Sequence, residues 1–164
     1  MLTTVGIVFA VNYTPPPTPA QKAAANAGRA IYDLQIQISS VGRLATKNSS
    51  NTRVQSMGSE IDDFCTFDKQ PLREWIQSQR VHVSDTVVDP SFRLVQERGL
   101  VQQMSTRRSV AFDSLFLSYL GKVKERMAAV KASTDAFSKG KAKTYFNKLQ
   151  AEINGAYGML GGQP

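Results

Sequence analysis

Ten basic side chains crowd the stretch from Ser105 to Lys148: Arg107, Arg108, Lys122, Lys124, Arg126, Lys131, Lys139, Lys141, Lys143 and Lys148. Only Asp113, Glu125 and Asp135 oppose them, so this segment alone carries +7, while residues 51–104, with six basic and eight acidic side chains, sum to −2. The chemistry open to such a distribution is electrostatic capture. A positive surface steers and orients an acidic partner, whether nucleic acid, anionic lipid or the carboxylates of another protein. Spacing refines the picture. On a helix, Lys141 and Lys148 fall on one flank of the apolar stripe and Lys143 on the other, and Lys124 and Lys131 repeat the seven-residue interval one helix earlier. The last helix uses lysine alone as its cation. Lysine is a point charge, suited to protein carboxylates at least as well as to phosphate, where the arginine fork is favoured.

Catalytic groups are scarce. The one histidine, His82, has Asp85 three residues on, close to the same helical face, where a carboxylate tunes an imidazole. No nucleophile elbow, glycine-rich phosphate loop or metal-binding histidine pair accompanies it. Glu60, Asp62 and Asp63 lack the spacing of a calcium loop and read as acids at a helix N-terminus. A single cysteine, Cys65 in "IDDFCTF", excludes an internal disulfide and a cysteine-based zinc site, and reads as a small buried hydrophobe. The expectation is a chain that is not an enzyme and uses no cofactor and no metal.

The elements that must position the cations are helices. Residues 1–18 read as an arm of their own: a seven-residue apolar run, Val5 to Val11, is too short to span a bilayer and is either a strand-like arm that lies on a partner or the tail end of a targeting segment, and Pro15, Pro16, Pro17 and Pro19 favour a stiff extended strap. Asn12-Tyr13-Thr14 and Asn48-Ser49-Ser50 match the glycosylation pattern, a frequent chance match. Thr18 then Pro19 is a cap followed by a first helical position. From about Pro19 to Thr46, Ala27, Ile31, Leu34, Ile38, Val41 and Ala45 recur in steps of three and four. After the turn-rich "KNSSNT", Val54, Met57, Ile61 and Phe64 keep the same beat in a shorter second helix, with Ser59 and Asp62 as a capping box if it starts late. Asp68 and Pro71 announce a third, with Leu72, Trp75, Ile76, Val83 and Val87, which must stop before Pro90. "PSFRLVQERG" reads as a connecting loop with a helical turn or two. A fourth helix, about Thr106 to Ser138, carries Phe112, Phe116, Tyr119, Val123, Met127, Val130 and Phe137 on one face. Gly140 separates it from the last, striped by Ala142, Phe146, Leu149, Ile153, Ala156 and Leu160. The expected architecture for residues 19–162 is an all-α, antiparallel four-helix bundle of the up-down kind, behind an extended proline-rich N-terminal arm.

The segment "TDAFSKGKAKTYFNKLQAEINGAYGMLGG" resembles the last helix of the PsbQ-type extrinsic proteins of photosystem II, through Lys141, Ala142, Tyr145, Phe146, Ile153, Asn154, Leu160 and Gly161. The strap Pro15 to Pro19 is similar to that family's proline-rich N-terminus, and "PLREWIQSQRVHVSDTV" to its second helix. The resemblance implies a non-catalytic subunit of the thylakoid lumen, peripheral on the membrane and without a transmembrane segment. Such a subunit docks on the photosystem II core and other extrinsic subunits and helps the oxygen-evolving complex retain calcium and chloride. Pro15, Pro16, Pro17, Arg107, Arg108, Lys124, Lys131, Lys141, Lys143 and Lys148 would then meet the acidic surface of that larger complex. The competing expectation is a nucleic-acid-packaging coat protein of a rod-shaped or filamentous virus, in which the same cations contact phosphate.

Overall fold

Thr18 and Pro19 open the first helix as their chemistry demands. The Thr18 hydroxyl accepts from the Gln21 backbone N–H, the Gln21 side chain accepts from the Thr18 N–H, and Pro19 sits where no amide donor is needed. The computed structural model describes residues 15–80, 95–133 and 140–161. Among these, every regular element is a helix: α1 (Pro19–Asn48), α2 (Thr52–Ser78), α3 (Val95–Thr106), α4 (Ser109–Ser133) and α5 (Gly140–Met159). Residues 1–14 of the expected arm, His82, Asp85 and the rest of 81–94, Phe137 and the remainder of 134–139, and 162–164 lie outside the described residues.

Two expected helices are one. α2 runs unbroken from its Asn51 cap, whose side chain accepts from the Arg53 N–H, to Ser78, with Pro71 inside it. A proline in a helix interior costs about 3 kcal/mol because the residue four positions earlier loses its amide donor. Here Pro71 is exposed, so the Phe67 carbonyl faces water, while Cys65, Leu72 and Ile76 on the opposite face are buried and hold the helix together. Ser59 and Asp62 therefore form no capping box, and Glu60, Asp62 and Asp63 are not helix N-terminal acids; all lie two to three turns inside α2. The expected loop ahead of residue 106 ends in the 12-residue α3.

α1 and α2 form a hairpin closed by Ser49, Ser50 and Asn51, and their closest approach uses glycine on both sides. A Cβ at Gly42 would stand 2.5 Å from the Gly58 carbonyl oxygen, and one at Gly58 would stand 2.5 Å from the Ala45 Cβ. Nearer the open end, Gly28 leaves room for Trp75 and Ile76. α1 also packs on α3, α4 and α5, so Ala30 to Gln35 are buried without a break, where the sequence pattern implies a single stripe.

Contacts fix the directions. Ser49, at the end of α1, donates to Asp113 near the start of α4 (2.5 Å), and Asn48 donates to the Met104 carbonyl of α3 (2.9 Å). Asn48, one of the glycosylation matches, is thus buried and engaged. Lys124 and Lys131 of α4 meet Tyr157 and Gln150 of α5, so these two helices are antiparallel. In chain order the long helices α1, α2, α4 and α5 run up, down, down, up. This departs from the up-down expectation because the chain must return from the end of α2 before α4 begins.

Cys65 is buried as expected, and burial, then Asp62, pushes its thiol up to about 12. The thiolate is the reactive form. Native protein at pH 8 is therefore expected to resist alkylation by iodoacetamide, with labelling appearing only as denaturant unfolds the chain; mass spectrometry reads the adduct.

Candidate functional site

The fold gathers positive charge at one end. The first half of α1, the last turns of α2, the end of α4 and the start of α5 converge there, as Trp75 of α2 stacks on Tyr145 of α5 (centroids 5.9 Å apart) and Arg80 donates to the Pro15 carbonyl (3.0 Å). Within residues 15–33, 66–80, 127–133 and 140–150 this end holds nine basic side chains (Lys22, Arg29, Lys69, Arg73, Arg80, Lys131, Lys141, Lys143, Lys148) and three acidic ones, Asp33, Asp68 and Glu74. Asp33 is buried, so it screens little of the surface. The remaining described residues carry nine basic and seven acidic side chains. Among the described residues, a net +6 against +2 makes this the more strongly positive end.

The cations singled out in the sequence divide into three groups. Lys141 and Lys143 are exposed on the first turn of α5, at the basic end. Lys124, Lys131 and Lys148 are engaged within the molecule. Lys124 lies over the Tyr157 ring (5.0 Å), Lys131 donates to Gln150 (3.3 Å), and Lys148 pairs with Asp68 (3.3 Å) while lying 5.5 Å from the Tyr145 ring centre. Arg107 and Arg108 are exposed in the turn between α3 and α4 at the opposite end, with Arg108 donating to the Ser105 and Arg107 carbonyls. Of the strap, Pro15 and Pro16 are exposed and Pro17 half-buried, and the Pro15 carbonyl is held by Arg80. The ten residues therefore do not form one surface.

Behind the basic end runs a polar seam that the apolar periodicity concealed. Gln35, fully buried in α1, donates to Asp68 (2.9 Å), which also receives Lys148. A turn further along, Ser39 donates to Asp62, and Arg43 donates to both Ser39 (2.8 Å) and Asp62 (2.9 Å). The exposed Arg43 gains little from its ion pair in high dielectric, so the seam acts chiefly by fixing the register of α1 against α2. Asp68 joins this seam to Lys148, which in turn lies against the Tyr145 ring that stacks on Trp75. Lys22, Arg29, Lys69, Arg73 and Arg80 are the members of the basic end that the charge pattern along the sequence does not reveal. They lie outside the Lys-rich segment, and the packing of α1 and α2 on α5 brings them to it.

On α5, burial and then Glu60 raise the Glu152 carboxyl above its ordinary value. A raised folded-state value means that the folded chain holds this proton more tightly than the unfolded chain. Its contribution to stability is therefore greatest below the ordinary carboxyl range and is lost as pH climbs through the raised value. Glu152→Gln is expected to be more stable than the parent at neutral pH and to lose that advantage in acid, as urea unfolding at several pH values will read.

These groups can attract, orient and stack. Among the described residues, no group of three or more His, Cys, Asp or Glu side chains is arranged to hold a metal ion, and no helix is long and apolar enough to cross a membrane. No protein-family model matches the chain, and no curated protein matches it either.

Proposed function

We propose that the chain is a non-catalytic docking protein whose long helices form a bundle that presents its basic end to an acidic surface of a larger assembly. The observation that supports this reading is the segregation of charge, nine basic side chains against three at one end of the described residues. Lys141, Lys143 and Lys22 lead the contact, and the strap Pro15–Pro17, tied to Arg80, borders it. Lys124, Lys131 and Lys148 hold helices together in this reading, and Arg107 and Arg108 belong to a separate surface. The resemblance of α5 to PsbQ-type extrinsic proteins gives the proposal a concrete form: a peripheral subunit of the thylakoid lumen docking on photosystem II.

A second reading is favoured by one specific arrangement. The half-buried Trp75 and Tyr145 stack, with Lys148 over the Tyr145 ring, and aromatics beside cations are what single-stranded nucleic acid stacks on. It corresponds to the packaging role of a viral coat protein. Sedimentation of the full chain with single-stranded RNA at low and moderate salt, beside retention on salt-washed photosynthetic membranes, separates the two. Docking on protein predicts retention on the membranes and indifference to RNA. Sedimentation with RNA that weakens as salt rises, with a log–log slope of about −0.7 per phosphate contacted, would replace it with the packaging reading.

A further inference from the structure

From the end opposite the basic one to the middle of the bundle, α4, α5 and the α1–α2 turn border an open groove made of two adjoining depressions of about 530 and 280 Å³ that share Ser114 and Leu117. Its apolar walls are Val54, Leu117, Tyr157 and Leu160, and Gly121, without a side chain, opens the space beside the Tyr157 ring. The charged residues that line it balance in sign, Arg53 and Lys122 against Asp113 and Glu125, and Lys124 adds one cation over the Tyr157 ring. Asn51, Ser114 and Ser118 supply the rest of its lining, so an uncharged segment with apolar side chains suits it better than a polyanion does.

The chain contains one such segment. Residues 1–14, "MLTTVGIVFAVNYT", hold no charged residue and include the run Val5 to Val11. Reach decides whose groove it fills. Arg80, which holds Pro15, and Arg53 in the groove wall are 27 residues apart on α2 and its last turn, about 40 Å at 1.5 Å per residue. Counted from Pro15, Val5 extends at most about 35 Å and Val11 at most about 14 Å. The near wall at Tyr157 is 17 residues along α5 from Gly140, about 25 Å, which the tip of the run reaches but Val11 does not, so the run cannot lie along its own groove, whereas the arm of a neighbouring molecule can enter it from outside.

The geometry points to self-association by arm exchange: Val5–Val11 of one copy packs into the groove between α4 and α5 of a second copy. The arm leaves from the basic end and the groove runs from the other end to the middle of the bundle, so the contact joins unlike surfaces. Repeated from copy to copy it propagates a chain, and made reciprocally it closes a pair. The interaction is independent of the acidic partner proposed above, because it uses neither Lys141 nor Lys143.

Sedimentation velocity of the full chain over a range of concentrations tests it, with two kinds of variant. Ile7→Asp/Phe9→Asp puts charge into the arm and leaves the groove intact. Leu117→Asp, or Ser114→Arg at an exposed position that bears no core packing, blocks the groove and leaves the arm intact. Expected are concentration-dependent association of the parent chain, single chains for every variant, and recovery of two-chain complexes when an arm variant is mixed with a groove variant. Circular dichroism confirms that each remains helical. A parent chain that stays single at every concentration, an arm variant that associates as the parent does, or a mixture of the two kinds that does not pair would overturn the inference.

Discussion

Replacing Gly42 with leucine is expected to lower the free energy of unfolding by about 3 kcal/mol, against a total of about 5–15 kcal/mol for a domain of this kind. Alanine at this position decides between two opposing effects. In a helix interior, Gly→Ala ordinarily gains about 1 kcal/mol, because glycine loses the most backbone freedom on folding. At Gly42 the new Cβ would meet the Gly58 carbonyl oxygen at 2.5 Å and the Asp62 backbone nitrogen at 3.2 Å. Both are backbone atoms, so no side chain can swing aside and the helices must separate. The clash outweighs the propensity gain, and Gly42→Ala is expected to lose about 1–2 kcal/mol. Gly155, exposed in α5 with no atom within 4 Å of a built Cβ, supplies the control: Gly155→Ala is expected to stabilise by about 0.5–1 kcal/mol. Urea unfolding followed by circular dichroism measures all three. A Gly42→Ala chain as stable as Gly155→Ala would mean that α1 and α2 do not meet where described.

The largest loss is expected from Phe116→Ala, about 3–5 kcal/mol. Phe116 is fully buried in α4 and stacks on Phe112, one turn earlier, with ring centres 5.9 Å apart. Truncation removes the apolar transfer energy, leaves a cavity that the surrounding helices fill only in part, and breaks the aromatic pair. Val110, six residues away on the same helix and 74% exposed, sets the scale of an indifferent site, within about 0.5 kcal/mol on truncation to alanine. Denaturation midpoints for the two variants, at unchanged m-value, provide the comparison. A Phe116→Ala midpoint close to that of Val110→Ala would remove α4 from the core.

The apolar faces of the later helices were legible because periodicity reports them directly. Phe112, Phe116, Tyr119, Val123 and Met127 in α4, and Ala142, Phe146, Leu149, Ile153 and Ala156 in α5, are all buried, and Thr18 with Pro19 announced the start of α1. Pro71 was misread because, in one dimension, a proline opening a helix looks like a proline on the wet side of a continuing one. Only the buried Cys65, Leu72 and Ile76 beneath it decide. The burial of α1 on several sides was hidden for a related reason. Asp33, Gln35 and Ser39 are polar, and polar residues signal a solvent face until their partners are known.

The cations were legible as a set but not as a surface. Lys148 and Asp68 are 80 residues apart, and nothing local to either predicts that they meet. The seven-residue spacing of Lys124 and Lys131 put them on one flank of α4 correctly, yet that flank faces α5, where aromatic and amide groups take up both ammonium groups. The charge of α1 and α2 at the basic end was invisible to a count along the chain, since it arises from folding two mildly charged segments beside a strongly charged one.

The central position of α1 has a consequence for synthesis. This helix is made early, and α2 covers one of its sides as soon as the hairpin closes. Its remaining buried surface belongs against α3, α4 and α5, and the last of these is not complete until Met159. At roughly 5–20 residues per second, the approximately 110 residues that follow Asn48 take on the order of 5–20 s to emerge. Throughout that interval the nascent chain displays an uncovered apolar flank, which makes the unfinished α1–α2 hairpin the natural client of a ribosome-associated chaperone.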